Sequence, residues 1–297
     1  MDVGFGLPVS GAWATPENVV TVARHAEELG YQTLWSFQRL LVPVTETMAP
    51  VYASVLDPVV ALGFAAGITH RIGLGTAIVN APFLPPAVLG KQLATLDLLS
   101  RGRLLAGLGL GWVPEEFAAA GVPYPRRGDR MEEYLHCLDA IWGPDPVSFD
   151  GEFYQVPAST MRPKPVQRPR PPVLLGGAAP RALDRAGRLA DGWISASRFP
   201  LDRLAGAIGV VKDSAEKAGR DADALRFFCR GVVVVGPRKG LLTGSLDEIR
   251  ADLPALAAQG VTEVFVDLNF DPAVGHPDAD PGAALRHALT VLDALAP

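Results

Sequence analysis

Four short stretches carry groups that could do chemistry, and none contains a conventional acid–base pair. Trp35-Ser-Phe-Gln-Arg39 ends in an amide and a guanidinium. An arginine keeps its proton at any working pH, so Arg39 with Gln38 offers charge stabilisation or anion binding rather than proton transfer. The competing reading is an ion pair that pins a neighbouring loop, with Glu46 as partner. Gly75-Thr-Ala-Ile-Val-Asn-Ala-Pro82 brings Thr76 and Asn80 to the end of an apolar run. They serve a ligand there, or belong to a plain strand entering a proline loop. Gly107-Leu-Gly-Leu-Gly-Trp112 alternates glycine and leucine, which clears one face of an extended segment. That face, with Gly109 and Gly111, lies against a planar ring or simply packs closely. Leu174-Leu-Gly-Gly-Ala-Ala-Pro180 leads into a helix with Pro180 at its first position. Its Gly176, Gly177 and Ala178 let a phosphate approach backbone N–H groups, or form a tight turn with no ligand.

Other chemistries find little support. His25, His136 and His287 fall in helical patterns, His70 in a helix-to-strand turn and His276 in an Asp-rich loop. No His, Cys or acidic group repeats at metal-ligand spacing, and no Gly-x-Ser-x-Gly elbow occurs. The basic run Arg162, Lys164, Arg168 and Arg170 is either a solvated loop or a reach toward an anionic cofactor tail.

The elements that must position these groups are eight apolar runs alternating with helical stretches: Val3–Val9, Thr33–Phe37, Ile72–Val79, Arg103–Gly111, Val173–Gly177, Gly192–Ala196, Phe227–Gly236 and Glu263–Phe270. Such alternation implies βαβ units, and eight of them imply a closed (β/α)8 TIM barrel with its active site at the C-terminal strand ends. Helix starts are legible in Thr15-Pro16-Glu17 and Asp57-Pro58. The rhythm breaks over residues 143–172, where Val147–Val156 reads as a hairpin around Asp150-Gly151. This is an insertion between helix four and strand five within a single domain, 1–297.

At 297 residues and 48% hydrophobic, the chain can bury one large core. Its 27 basic against 32 acidic residues, with no long basic run, argue against nucleic acid as a partner. Two cysteines, Cys137 and Cys229, fit a reducing cytoplasm rather than a disulfide framework. Neither a signal peptide nor an apolar membrane span is expected. Rich Ala, Gly, Arg and Pro usage suggests a GC-rich, bacterial genome. A homodimer is left open.

Longer stretches carry a resemblance. Ala23-Arg-His-Ala-Glu-Glu-Leu-Gly-Tyr31, Ile72-Gly-Leu-Gly-Thr76, Leu89-Gly-Lys-Gln-Leu-Ala-Thr-Leu-Asp97, Gly102–Trp112, Pro114-Glu-Glu-Phe117, Arg127–Glu133 and Ala190-Asp-Gly-Trp193 follow in order along the barrel. Together the chain resembles the bacterial luciferase-like monooxygenase superfamily, and most closely its coenzyme F420 (deazaflavin)-dependent oxidoreductases. The resemblance implies a cofactor across the C-terminal mouth and hydride transfer to or from a small organic substrate. It implies a non-proline cis peptide at Ala77–Ile78 supporting the ring. The strand-four glycines and the Gly176-Gly177-Ala178 turn would hold the chain and phosphate. Many relatives carry an acidic residue and a histidine after the strand-two tryptophan; here Gln38-Arg39 stands there, so the usual proton donor is missing. Arg39 would then stabilise a reduced, anionic ring or bind a substrate carboxylate or enolate. Two alternatives stay open: a monooxygenase using reduced FMN and oxygen, and a catalytically altered ligand-binding barrel.

Overall fold

The computed structural model describes all residues, Met1–Pro297. Its core is a closed ring of parallel strands: β1 (Asp2–Gly6), β2 (Thr33–Ser36), β3 (Gly73–Thr76) continued after a break by β4 (Val79–Asn80), β5 (Leu104–Gly109), β8 (Val173–Gly176), β9 (Gly192–Ile194), β10 (Arg226–Val232) and β13 (Glu263–Asp267). Pairing of Leu74 with Leu104 closes the circle, β1 pairs with both β2 and β13, and the short β11 (Val234–Val235) and β12 (Thr243–Gly244) pair outside the ring. This is the expected (β/α)8 barrel.

The helices start where local chemistry says they should. Thr15 accepts a hydrogen bond from Asn18 N, and Pro16 opens α1 (Pro16–Glu28). Asp57 Oδ1 accepts from Val59 N and Val60 N at 3.0 and 2.9 Å at the head of α2 (Pro58–Ala66). Each cap satisfies N–H groups the helix cannot, contributing about 1 kcal/mol. The remaining outer helices are α3 (Pro86–Leu99), α5 (Arg127–Trp142), α6 (Pro180–Leu189), α7 (Leu204–Lys217), α8 (Leu246–Ala257) and α9 (Pro281–Ala294). None is long and apolar enough to cross a membrane. Sixty-four buried apolar residues form one continuous cluster between strands and helices. A second, of seven residues including Trp35, Phe228 and Phe265, fills the barrel interior.

Three differences from the sequence reading matter. Strand three is shorter than Ile72–Val79 and is interrupted at a cis Ala77–Ile78 peptide. A short helix, α4 (Pro114–Ala119), lies after β5 where no helix was expected. The insertion does form a hairpin, β6 (Val147–Asp150) with β7 (Gln155–Ser159), but the second arm sits three residues later than the alternation suggests.

Candidate active site

A cavity of about 400 Å³ opens at the C-terminal ends of the strands. Its floor is the break in strand three. The Ala77 N–H donates to Ser36 O at 2.6 Å, Gln38 N–H to Ile78 O at 3.2 Å, and Gln38 Oε1 accepts from Asn80 N at 2.8 Å. Gln38, expected in the chemistry, thus also ties the bulge to β2. The alternate glycines of β5 are what admit the bulge. A Cβ on Gly107 would stand 1.8 Å from Thr76 O, and one on Gly109 would stand 2.4 Å from Ile78 Cδ1. Close packing therefore explains Gly107 outright. Gly109 packs on Ile78 and also borders the cavity, as do Ala77, Ile78, Asn80 and Gly111. Thr76 does not: its hydroxyl donates to Gly107 O at 2.7 Å, and the residue is fully buried.

Arg39 reaches the cavity, but not as a free cation. Its Nη1 donates to Glu116 Oε2 at 2.8 Å, with side-chain exposures of 5% and 0%. Glu116 Oε1 also accepts from Leu40 N at 2.7 Å. The guanidinium is sandwiched between Tyr52 and Trp112, 4.5 and 4.9 Å from their ring centroids. Its partner is therefore Glu116, brought in by α4, and not Glu46, which is exposed. Nε is buried with no hydrogen bond; Nη2 makes none either, is not fully buried, and belongs to a residue that lines the cavity.

A second cation was missed by the sequence reading. Arg230 on β10 is 8% exposed; its Nε donates to Asp267 Oδ2 at 2.7 Å and its Nη1 to Ala77 O at 3.0 Å. It holds the bulge from across the barrel and lines the cavity beside Phe37, whose ring centroid is 4.5 Å from its guanidinium carbon. An arginine inside an apolar strand run was the available signal, because such a charge needs a buried partner.

The far end of the cavity is the turn from β8 into α6. Gly176, Gly177 and Ala178 line it together with Ala179. The N–H groups of Gly177, Ala178 and Ala179 find no acceptor in the chain, and α6 has no side-chain cap. Trp193 Nε1 fixes the turn by donating to Gly177 O at 2.7 Å. Gly177 has φ of +127°, and a Cβ there would lie 2.7 Å from Ala182 Cβ, so the backbone itself requires glycine. Arg127, at the start of α5, borders the same end; it packs on Tyr124 at 4.1 Å and forms no ion pair. The cavity lining thus holds three free N–H groups at a helix N-terminus and one guanidinium without a carboxylate partner, the kinds of donor that can hold an anion.

The Arg162–Arg170 run lies elsewhere. Arg170 bonds Asp139 at 2.6 Å and also Asp191, whose carboxylate accepts from Val173 N at the opposite end of β8. Lys164 and Arg162 share Asp145, each at 2.9 Å. Lys164, Arg168 and Arg170 line a separate, open hollow of about 680 Å³, and none of the four cations borders the cavity at the mouth. Of the five histidines, none borders the cavity. Near the N-terminal end of the barrel, Glu263 is fully buried and accepts from Trp35 Nε1 at 2.8 Å. Burial pushes its carboxyl up to about 7, against the opposing pull of that bond and of Arg226.

The mouth therefore combines the bulged end of strand three with a turn whose N–H groups are unpaired. The profile of the luciferase-like monooxygenase family matches residues 4–263, and the chain belongs to that family. An uncharacterised protein of Mycobacterium tuberculosis is 36% identical over 234 residues, 74% of this chain and 80% of its own. An FMNH(2)-dependent dimethylsulfone monooxygenase of Pseudomonas putida is 32% identical, covering 65% and 52%. An F420-dependent glucose-6-phosphate dehydrogenase of Amycolatopsis mediterranei is 30% identical, covering 73% and 66%. The monooxygenase RslO1 of Streptomyces bottropensis superimposes with a TM-score of 0.82 at 22% identity, over 100% of this chain and 98% of its own. Relatives thus use either a flavin or a deazaflavin.

Proposed function

We propose that the chain, working as one domain, is an oxidoreductase that binds coenzyme F420 and exchanges a hydride with a small organic substrate. What supports this reading is the donor set on the cavity lining, Arg127 with the free N–H groups of Gly177–Ala179, together with the bulge at Ala77–Ile78 that lines the same cavity. That pair of features fits a planar ring bearing a phosphorylated side chain. When bound, the deazaflavin supplies hydride chemistry at its C5. Ala77 and Ile78 would support the ring, and Arg230 holds the Ala77 carbonyl in place. Gly109 and Gly111 keep side chains off the adjoining wall. Gln38 and Asn80 offer amide groups and Arg39 an Nη2 donor to the substrate. Because Glu116 compensates Arg39, that arginine orients an oxygen rather than neutralising an anionic ring. The only hydroxyls on the wall belong to Tyr52, Ser195 and Ser197.

That same feature favours a second reading. A wall with no carboxylate or imidazole suits a monooxygenase, where reduced FMN and oxygen do the chemistry and the protein excludes water. Side-by-side titration of the apoprotein with coenzyme F420 and FMN separates the two. We expect tighter binding of coenzyme F420, and for Arg127→Ala at least a tenfold loss from removing a charge-assisted contact of about 1.5–3 kcal/mol. Tighter FMN binding with oxygen consumption moves the assignment to the monooxygenase. Binding of neither cofactor leaves the catalytically altered barrel.

A further inference from the structure

The cavity is electrically asymmetric. At the turn into α6, Arg127 has no carboxylate partner. At the other end both arginines are compensated: Arg39 by Glu116 at 2.8 Å and Arg230 by Asp267 at 2.7 Å. The surrounding wall is aromatic. Phe37 and Tyr52 pack edge-on at 6.4 Å between centroids, and Phe270 closes on both at 5.7 Å. Trp112, 56% exposed, forms the lip over Arg39.

We propose that this half of the cavity takes an uncharged, largely apolar molecule that presents one hydrogen-bond acceptor, a ketone or alcohol oxygen, to Arg39 Nη2. The assignment rests on the cofactor lying against the Ala77–Ile78 bulge and the turn into α6, which leaves the aromatic side around Arg39 to the substrate. An anion brought beside an already neutral, buried ion pair adds an uncompensated charge and loses its hydration. A neutral oxygen instead satisfies a donor that the chain leaves unpaired, while the aromatic wall accepts the apolar body. Sugar phosphates and carboxylates are thereby disfavoured on this side. Glu116, which touches no ligand, sets that preference by fixing the charge of Arg39.

The test uses two near-isosteric probes, benzylacetone (a ketone) and hydrocinnamate (its carboxylate counterpart), with glucose 6-phosphate as a third. Each is titrated calorimetrically into the full-length protein, with and without cofactor. The ketone is expected to bind at least about tenfold more tightly than either anion, a difference of about 1.4 kcal/mol. Glu116→Gln keeps the shape but uncovers the Arg39 charge, so the ketone-to-carboxylate ratio should fall by about tenfold or more. If that variant folds poorly, Arg39→Met with Glu116→Met removes donor and carboxylate together. It should weaken the ketone about tenfold and leave hydrocinnamate weak. Equal or tighter binding of either anion by the native protein overturns the proposal. So does no saturable ketone binding, an unchanged ratio in Glu116→Gln, or a double variant that holds the ketone as well as the native chain. Cofactor titration on the same preparations distinguishes the two conclusions. Cofactor binding with the wrong probe preference sinks only this inference, and the right preference without cofactor binding sinks only the proposed function.

Discussion

Removing Glu116 tests whether the ion pair at the cavity wall carries stability. Glu116→Ala leaves the Arg39 guanidinium, 5% exposed, with no carboxylate, and strips Leu40 N–H of its acceptor. Breaking a buried pair by deleting one partner costs about 3–5 kcal/mol. The orphaned backbone donor has a penalty of about 1–3 kcal/mol, part of it already counted because both bonds end on one carboxylate. Contacts with Tyr52 and Trp112 are present in both proteins and cancel in the difference. The expected net loss is about 4 kcal/mol, or a fall in Tm on the order of 10 °C for a chain of this size. Replacing both partners, Arg39→Met with Glu116→Leu, leaves no buried charge and should recover most of the loss. Calorimetric melting at pH 7 of the native chain, Arg39→Met, Glu116→Leu and the double completes a mutant cycle, with Glu116→Ala melted beside them. A Glu116→Ala variant within about 1 kcal/mol of the native chain, or a double variant worse than both singles, would refute the reasoning.

Three further outcomes are expected. Gly109→Ala should lose about 1–3 kcal/mol in urea unfolding because its Cβ meets Ile78 Cδ1 at 2.4 Å, and Ile78→Ala should restore part of it; an additive pair would mean the two do not touch. Ala179→Asp supplies the N-cap that α6 lacks, so Tm should rise with about 1 kcal/mol of stabilisation while affinity for a phosphate-bearing cofactor falls. Unchanged cofactor affinity removes the turn from the site. Glu263 has a carboxyl raised to about 7, so the folded chain holds a proton that the unfolded chain releases near its ordinary value. Its contribution is therefore present at low pH and lost as pH rises from about 4.5 to 7, a swing of about 3 kcal/mol that Glu263→Gln should flatten in unfolding measured across that window.

The signals that read correctly from sequence are local or periodic. Thr15-Pro16 and Asp57-Pro58 begin helices because a side-chain oxygen and a fixed φ act within one turn. The eight apolar runs become barrel strands because alternation with helices leaves few ways to bury both sheet faces. Even the missed helix α4 had such a signal in Pro114-Glu-Glu116, a proline followed by acids at a helix start. With six residues, α4 is too short for a helical period to show in the sequence.

Everything that decided the character of the site is a contact between distant segments. Arg39 meets Glu116 across 77 positions, and Arg230 meets Ala77 across 153. Gly107 and Gly109 are small because of Thr76 and Ile78, which a reading along β5 alone cannot know. The sequence by itself determined the barrel, the end of the barrel where the candidate site lies, and the residue types available there. The tertiary structure alone decided which charges are compensated and which glycines face backbone rather than open space. Local order follows from interactions within a few residues, whereas charge compensation and close approach depend on which strands and loops barrel closure brings side by side.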